Sequence, residues 1–432
     1  METETLIIQG GIPLKGRIRA NGSKNASLPI MAAALLTEEP LTIMGVPDLL
    51  DVRTMTAVLK SLGGVVHYDP LQEEVIIYSG DGLHCEPPPE LVRQMRASFL
   101  VLGPLLSRCG RVRLSLPGGC AIGTRPVDLH LKGFAAMGAR FTIANGCIEG
   151  ETEGLQGAHI YLDYPSVGAT ENIVAAATLA RGTTFLENAA VEPEIVDLAN
   201  FLNSMGARVS GAGTTTIRID GVDSLSSTKH TVIPDRIEAG TLLLCGAITG
   251  GDVVVENLLV DHLKPLIAKL REAGVLVEEA GPLAVRIACE GPLTGVDLKT
   301  LPYPGFPTDL QPQFMALLSL AGGTSIVTET VFENRFRHVE ELCRLGAQIK
   351  VEGHHAVVQG TKCLTGAPVR ASDLRAAAAL LLAALAAQGV TEIADVVHLW
   401  RGYCGLEERL KNIGASIQRG QRTPYQEMEY GG

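Results

Sequence analysis

Apolar residues along this chain fall into two alternating kinds of run. One kind keeps an apolar residue at i, i+3 and i+7, as in Ile195-Val196-Asp197-Leu198-Ala199-Asn200-Phe201-Leu202, and ends on a glycine. That ending recurs as Leu62-Gly63-Gly64, Met137-Gly138-Ala139, Met205-Gly206-Ala207, Ala273-Gly274-Val275, Leu345-Gly346-Ala347 and Ile413-Gly414-Ala415. The central glycines lie 75, 68, 68, 72 and 68 residues apart. A glycine just past the last turn stops a helix because it takes left-handed φ without a Cβ penalty. A short β-branched stretch follows, such as Arg208-Val209-Ser210 or Gln348-Ile349-Lys350-Val351, and reads as a strand. The other kind of run is rich in Ala and Leu at nearly every position: Leu28 to Leu36, Asn172 to Ala180, Ala239 to Ile248, Gln313 to Leu320 and Ala371 to Ala387. Helices apolar on every face belong inside a core and not on a surface. After them come a Gly and another strand, as in Gly182-Thr183-Thr184-Phe185-Leu186 and Gly389-Val390-Thr391-Glu392-Ile393. In the second unit the first helix, about Pro89 to Leu106, is less regular.

The chain is therefore one unit written six times. Solenoid repeats are shorter, about 20–50 residues, and these units are internally mixed α/β. The pattern predicts an α/β fold of two similar domains, three units in each, with buried helices and outward sheets. The break falls near Ser226 to Ile233, where Ser226-Ser227-Thr228-Lys229-His230 reads as a linker. Residues 1–23 form a strand-like segment that could pair with either half.

Composition narrows the class. The 432 residues are 46% hydrophobic and 19% charged, which is globular and not disordered. With 36 Lys+Arg against 47 Asp+Glu the net charge is −11, which argues against a general nucleic-acid binder. Nine Cys, scattered and never spaced C-x-x-C, exclude a zinc ribbon and point to a reducing cytoplasm. His354-His355 lacks a metal-ligand spacing and reads as a turn, so no metal site is expected. The longest apolar run, Ala376 to Ala387, is far below the roughly 20 residues of a bilayer span. No secretion signal opens the chain, and no membrane partner is expected.

The candidate chemistry lies at helix starts. Asn21-Gly22-Ser23-Lys24-Asn25 precedes the first buried helix, where free N–H groups beside a Lys favour an anion. Pro234-Asp235-Arg236-Ile237-Glu238, Tyr303-Pro304-Gly305-Phe306-Pro307-Thr308-Asp309 and Ala371-Ser372-Asp373-Leu374-Arg375 carry similar charges at the mouths of other buried helices. Arg96, Arg125, Arg335 and Arg401 lie near loops or helix starts in different units, and Arg suits a phosphate or carboxylate. The most specific segment is Leu116-Pro117-Gly118-Gly119-Cys120-Ala121-Ile122-Gly123-Thr124-Arg125-Pro126-Val127-Asp128-Leu129-His130. A Cys among loop glycines with a cation nearby is a candidate nucleophile or acid, whereas most Cys are small apolar filler.

These segments, with Arg96-Ala97-Ser98-Phe99, Pro165-Ser166-Val167-Gly168-Ala169-Thr170-Glu171-Asn172, Val331-Phe332-Glu333-Asn334-Arg335 and Arg401-Gly402-Tyr403, closely resemble the enolpyruvyl transferase family, in its UDP-N-acetylglucosamine branch. The resemblance runs from about Leu6 to Gln418. It implies two domains, each of three βαβαββ units about a pseudo-threefold axis, an inside-out α/β barrel. Residues 24–233 would form the N-terminal domain with the Cys loop; residues 1–23 plus 234–432 would form the C-terminal domain. It implies transfer of the enolpyruvyl group of phosphoenolpyruvate to the 3-hydroxyl of UDP-N-acetylglucosamine, the first committed step of peptidoglycan precursor synthesis, with no cofactor.

By the same resemblance Lys24 and Asn25 hold phosphoenolpyruvate, while Arg125 and Arg401 meet its phosphate and carboxylate. Cys120 is the general acid and Asp309 faces the sugar hydroxyl. Arg96, Arg125, Pro126, Val127, Asp128, Leu129, Tyr164, Pro165, Ser166, Val167 and Val331 match sugar-nucleotide contacts, and Arg335, Asp373 and Arg375 complete the cluster. Two positions depart from common members: Tyr164-Pro165 where some carry Lys-Val, and Trp400, where Asp is common. A monomer is the default expectation. The rivals are a sugar-nucleotide-binding protein without turnover and an enzyme for shikimate 3-phosphate; the Cys loop argues against the second.

Overall fold

The computed structural model describes residues 3–116 and 127–422. Its helices gather in two cores, and six separate sheets lie outside them without closing into a barrel. Five sheets have four strands. In each of these, a short edge strand runs parallel to the strand that follows a buried helix, and two more join antiparallel. The sheet Arg111–Ser115, Cys147–Glu151 and Arg140–Ala144 has three strands. There the Arg113 amide donates to the Cys85 carbonyl at 2.8 Å, so the chain near Cys85 lies along its edge.

Why the helices are inside follows from their residues. All thirteen residues of Arg236–Ile248 and all eight of Gln311–Leu318 are buried, so neither needs a polar stripe. The helix-stopping glycines behave as their positions require: φ is +95° at Gly63, +91° at Gly138, +100° at Gly206, +90° at Gly274, +94° at Gly346 and +106° at Gly414.

Three local expectations shift. Buried helices start before their apolar runs, at Lys24, Val167, Arg236 and Gln311. Side-chain caps from Ser23, Ser166 and Asp235 let polar residues occupy the first turn, which a count of apolar positions misses. Pro89 to Leu106 is split into the helix Pro89–Gln94, a 3₁₀ turn Arg96–Val101 and the helix Leu102–Cys109, with Met95 extended between the first two. The supposed linker is partly a strand: Lys229–Thr231 runs parallel to Leu41–Met44. An edge strand needs only backbone partners, so its polar composition gave no sign of it.

One core draws residues from Ala26 to Val232; the other draws Leu6 to Ala20 and Ile237 to Ile417. Thr3–Gln9 lies between Val390–Ala394 and Ser416–Arg422, and Lys15–Arg19 runs beside Asp252–Glu256. The opening strands thus complete sheets of the second core. The chain passes between the cores twice, and the two passages lie side by side. Gly22 bridges Pro234, the Ser23 amide donates to the Ile233 carbonyl at 2.8 Å, and the Asp235 amide donates to the Asn21 carbonyl at 2.9 Å. A Cβ on Gly22 would stand 1.8 Å from the Gly45 carbonyl oxygen, so only glycine fits this crossing. Among the described residues no helix is long and apolar enough to cross a membrane.

Candidate active site

Both crossings deliver helix starts to the same place. Asp235 caps its own helix through the Ile237 and Glu238 amides, at 2.8 and 2.9 Å, and its other oxygen accepts from the Lys24 amide at 3.1 Å. One carboxylate therefore fixes the first turns of two helices from different cores. Asp373 does the same for Leu374–Ala386, accepting from the Arg375 and Ala376 amides at 3.0 and 3.1 Å. Burial opposes the charge on Asp373, but Arg335 and those amides outweigh it and lower its pKa.

Asp309 sits on the 3₁₀ turn Thr308–Leu310 between two guanidinium groups. Arg335 donates to one oxygen at 2.8 Å and Arg375 to the other at 2.7 Å. Both arginines are almost fully buried, while the Asp309 side chain keeps 27% of its surface. Arg335 is also tied to the Thr308 carbonyl at 3.0 Å, and Arg375 to the Tyr403 hydroxyl at 3.3 Å. Tyr403 in turn meets Thr241 and Gln313 at 3.0 and 3.2 Å, so the three innermost helices of this core lock the Arg375 side chain. Burial works against the Arg375 charge; Asp309 first, then Tyr403 and Asp235, overcome it and raise the pKa.

Lys24 faces this cluster from the other core. Its Nζ lies 3.3 Å from Asp51, on the first turn of Leu50–Ser61. The second Asp51 oxygen accepts from Arg401 Nε at 2.9 Å, so Asp51 ties Lys24 to a cation of the opposite core. Burial lowers the Lys24 pKa; Asp51 opposes that, Arg375 and Arg401 add to it, and Asp309 opposes it. Lys24 therefore feels the charges of Asp51, Arg375, Arg401 and Asp309 directly.

The remaining expected positions are distributed over other helix starts and turns. Asn25 is half-buried beside Lys24, and Arg96 opens its 3₁₀ turn close enough to His130 to help lower that residue's pKa, which burial takes to about 3. His130 is therefore neutral, and its Nδ1 accepts from Asn172 Nδ2 at 3.1 Å. Val127, Asp128 and Leu129 form the start of the helix Asp128–Ala136. Ser166 caps Val167–Ala177 by accepting from the Ala169 amide at 3.3 Å, behind Tyr164 and Pro165. Burial, then Glu192 and Glu329, raise the Tyr164 pKa. The Glu329 carboxylate accepts from the Val331 amide at 2.8 Å, so Tyr164 and Val331 approach one site from different cores. Cys120, Arg125 and Pro126 lie outside the described residues.

Sequence reasoning missed Asp51, Glu329, Glu194 and Tyr403. Asp51 and Glu194 resemble any acid in a first helical turn. Glu194 pairs with Arg236 at 3.0 Å across the crossing, and both are buried. Trp400 does not leave Arg401 without a carboxylate, since Asp51 supplies it; the Trp400 ring instead carries the Arg419 guanidinium at 5.0 Å. Among the described residues no group of three or more His, Cys, Asp or Glu could hold a metal ion.

Comparison with known proteins gives a consistent picture. A family model described as EPSP synthase (3-phosphoshikimate 1-carboxyvinyltransferase) matches residues 8–410. The UDP-N-acetylglucosamine 1-carboxyvinyltransferase 2 of Carboxydothermus hydrogenoformans is 56% identical over 417 residues, 96% of this chain and 99% of that protein. The UDP-N-acetylglucosamine 1-carboxyvinyltransferase of Desulfovibrio desulfuricans is 55% identical over 416 residues, again 96% and 99% of the two chains. Among solved structures, the enolpyruvyl transferase NikO from Streptomyces tendae superposes with a TM-score of 0.89 at 29% identity, covering 98% of this chain and all of that one. An EPSP synthase from Acinetobacter baumannii shares the fold, with a TM-score of 0.75 at 19% identity, covering 98% of this chain and 100% of that one.

Proposed function

This chain belongs to the EPSP synthase (3-phosphoshikimate 1-carboxyvinyltransferase) family, and from that premise we propose that it transfers the enolpyruvyl group of phosphoenolpyruvate to the 3-hydroxyl of UDP-N-acetylglucosamine and releases phosphate. That is the reaction expected of the first committed step in peptidoglycan precursor synthesis, and the names of its relatives support it. The observation that carries the reading is the convergence of Lys24, Arg335, Arg375 and Arg401 on Asp309 and Asp51. A substrate with a phosphate and a carboxylate needs such cations, placed before the reaction and shielded from water.

In this reading Asp309 takes the proton of the sugar 3-hydroxyl. A carboxylate offers about four acceptor positions. The two arginines each take one oxygen of Asp309, whose side chain keeps 27% of its surface. The sugar oxygen bonds to C2 of phosphoenolpyruvate while Cys120 gives its thiol proton to C3. In the second half the Cys120 thiolate takes a C3 proton, the double bond re-forms, and phosphate departs with the C2–O electrons and carries away the proton held by Asp309. Lys24, Arg125 and Arg401 neutralise that leaving group. Asn25 helps hold phosphoenolpyruvate; Arg96, Pro126 to Leu129, Tyr164 to Val167 and Val331 hold the sugar nucleotide. The chain divides for this purpose into residues 24–233 and residues 1–23 with 234–432, and it works in the cytoplasm without a cofactor.

The test is a phosphate-release assay with phosphoenolpyruvate and either UDP-N-acetylglucosamine or shikimate 3-phosphate. Release only with the sugar nucleotide is expected. Release only with shikimate 3-phosphate would move the chain to the other branch, and release with neither would leave a binding protein.

A further inference from the structure

Asp51 has no role in the chemistry above, yet it is 5% exposed and spends both oxygens on cations of the site. Its oxygens lie 3.3 Å from Lys24 Nζ and 2.9 Å from Arg401 Nε. The two partners come from opposite cores, and Arg401 is 350 positions away in the chain. Asp51 sits on the first turn of a helix whose Val52 and Met55 are fully buried, so its backbone is anchored to the core. A buried, doubly paired carboxylate between an amine and a guanidinium does more than pack: without it, two like charges would face each other unscreened.

We propose that Asp51 is a positioning residue that keeps Lys24 charged and joined to Arg401, so that the site meets its phosphate substrate with both cations in place. This rests on the enolpyruvyl transfer reading. Among the described residues, the charged groups facing Lys24 are Asp51 from Leu50–Ser61, Arg375 from Leu374–Ala386, Arg401 from Val396–Arg401 and Asp309 from Thr308–Leu310. Burial and the two arginines push Lys24 toward the neutral amine, and Asp51 is the strongest group pushing the other way. The useful form of Lys24 exists below its pKa and is lost above it. Neutralising Asp51 must therefore move the loss of that form to lower pH.

Asp51→Asn keeps the shape and an acceptor for Arg401, so the fold should survive. The alkaline limb of kcat/KM for phosphoenolpyruvate should move down by about 1–3 pH units, the usual effect of one close opposite charge. In a Lys24→Arg background, already slower, the same substitution should leave the limb in place, because a guanidinium stays charged. A readout independent of turnover is trace acetylation of Lys24 with acetic anhydride across pH, read by peptide mass spectrometry, since only the neutral amine reacts. Acetylation of Lys24 should begin at lower pH in Asp51→Asn. If the wild type releases no phosphate, the enolpyruvyl reading fails while the acetylation profile still reports on Asp51. If the acetylation profile is the same in wild type and Asp51→Asn, the proposal is overturned even with an active enzyme. A limb shift in the Lys24→Arg background equal to that in the parent would overturn it as well.

Discussion

Asp309 shows how one residue can serve structure and chemistry together. Its carboxylate offsets two buried guanidinium groups, so deleting the side chain strands both. Asp309→Ala should therefore lose about 3–5 kcal/mol of stability as well as activity, which confuses the two effects. Asp309→Asn keeps the shape and an acceptor for one arginine, and removes the base together with the charge that offsets both. It should lower phosphate release by about 10²–10⁴-fold with sugar-nucleotide binding largely kept, and near-normal turnover would remove Asp309 from the mechanism. Cys120 allows a sharper comparison. If it donates a proton, Cys120→Asp should keep measurable turnover because a carboxylic acid in a closed site can give up its proton near neutral pH. Cys120→Ser should be nearly dead, since a hydroxyl holds its proton too tightly. The wild-type thiol should be alkylated by a small phosphonate epoxide such as fosfomycin, seen as a mass increase, and the Asp variant should escape.

At the scale of elements, the helix Val167–Ala177 carries an acid in its buried face. Glu171 is buried, and burial first, then Glu194 and Glu192, raise its pKa well above the ordinary value. Glu192 is raised as well, mainly by burial. A carboxyl raised on folding holds its proton longer in the native state than in the unfolded chain. Its contribution to stability is then present below the unfolded value, near 4.5, and lost as pH climbs toward the folded value. Glu171→Gln removes that loss. In urea unfolding it should raise the midpoint at pH 8 relative to wild type, with the difference shrinking toward pH 4.5; a gap that is constant with pH would show that Glu171 does not titrate this way. Apolar periodicity found this helix but not its capped first turn, and it gave no warning of the acid. A single Glu hardly alters an eleven-residue pattern, while its proton affinity depends on neighbours in another helix.

Across the whole molecule, two cores meet through paired crossings and through cations that lean on each other's acids. Lys24 and Arg401 share Asp51, and Arg236 reaches Glu194. Such a boundary invites closure around a substrate that brings negative charge, because the substrate then satisfies groups on both sides at once. Saturating UDP-N-acetylglucosamine should accordingly lower the radius of gyration in small-angle scattering. An unchanged radius would count against hinged closure of the two halves.

The repeating glycine stops and the wholly apolar helices were legible along the chain. Helix stops and burial of a run are set by a few consecutive residues. The charged helix starts at Lys24, Asp309 and Arg375 were visible too, as was Arg401. Their partners were not. Asp309 meets Arg375 66 positions away, Lys24 meets Asp51 27 positions away, and Asp51 reaches Arg401 across 350. The first two contacts depend on how helices pack within one core, and the third on how the two finished cores face each other. Attraction between exposed charges is largely screened beyond about 8–10 Å at physiological salt, so it acts between groups that folding has already brought close. The placement of the opening strands was also decided by distant partners: Thr3–Gln9 fits between Val390–Ala394 and Ser416–Arg422, and Lys15–Arg19 takes the edge beside Asp252–Glu256.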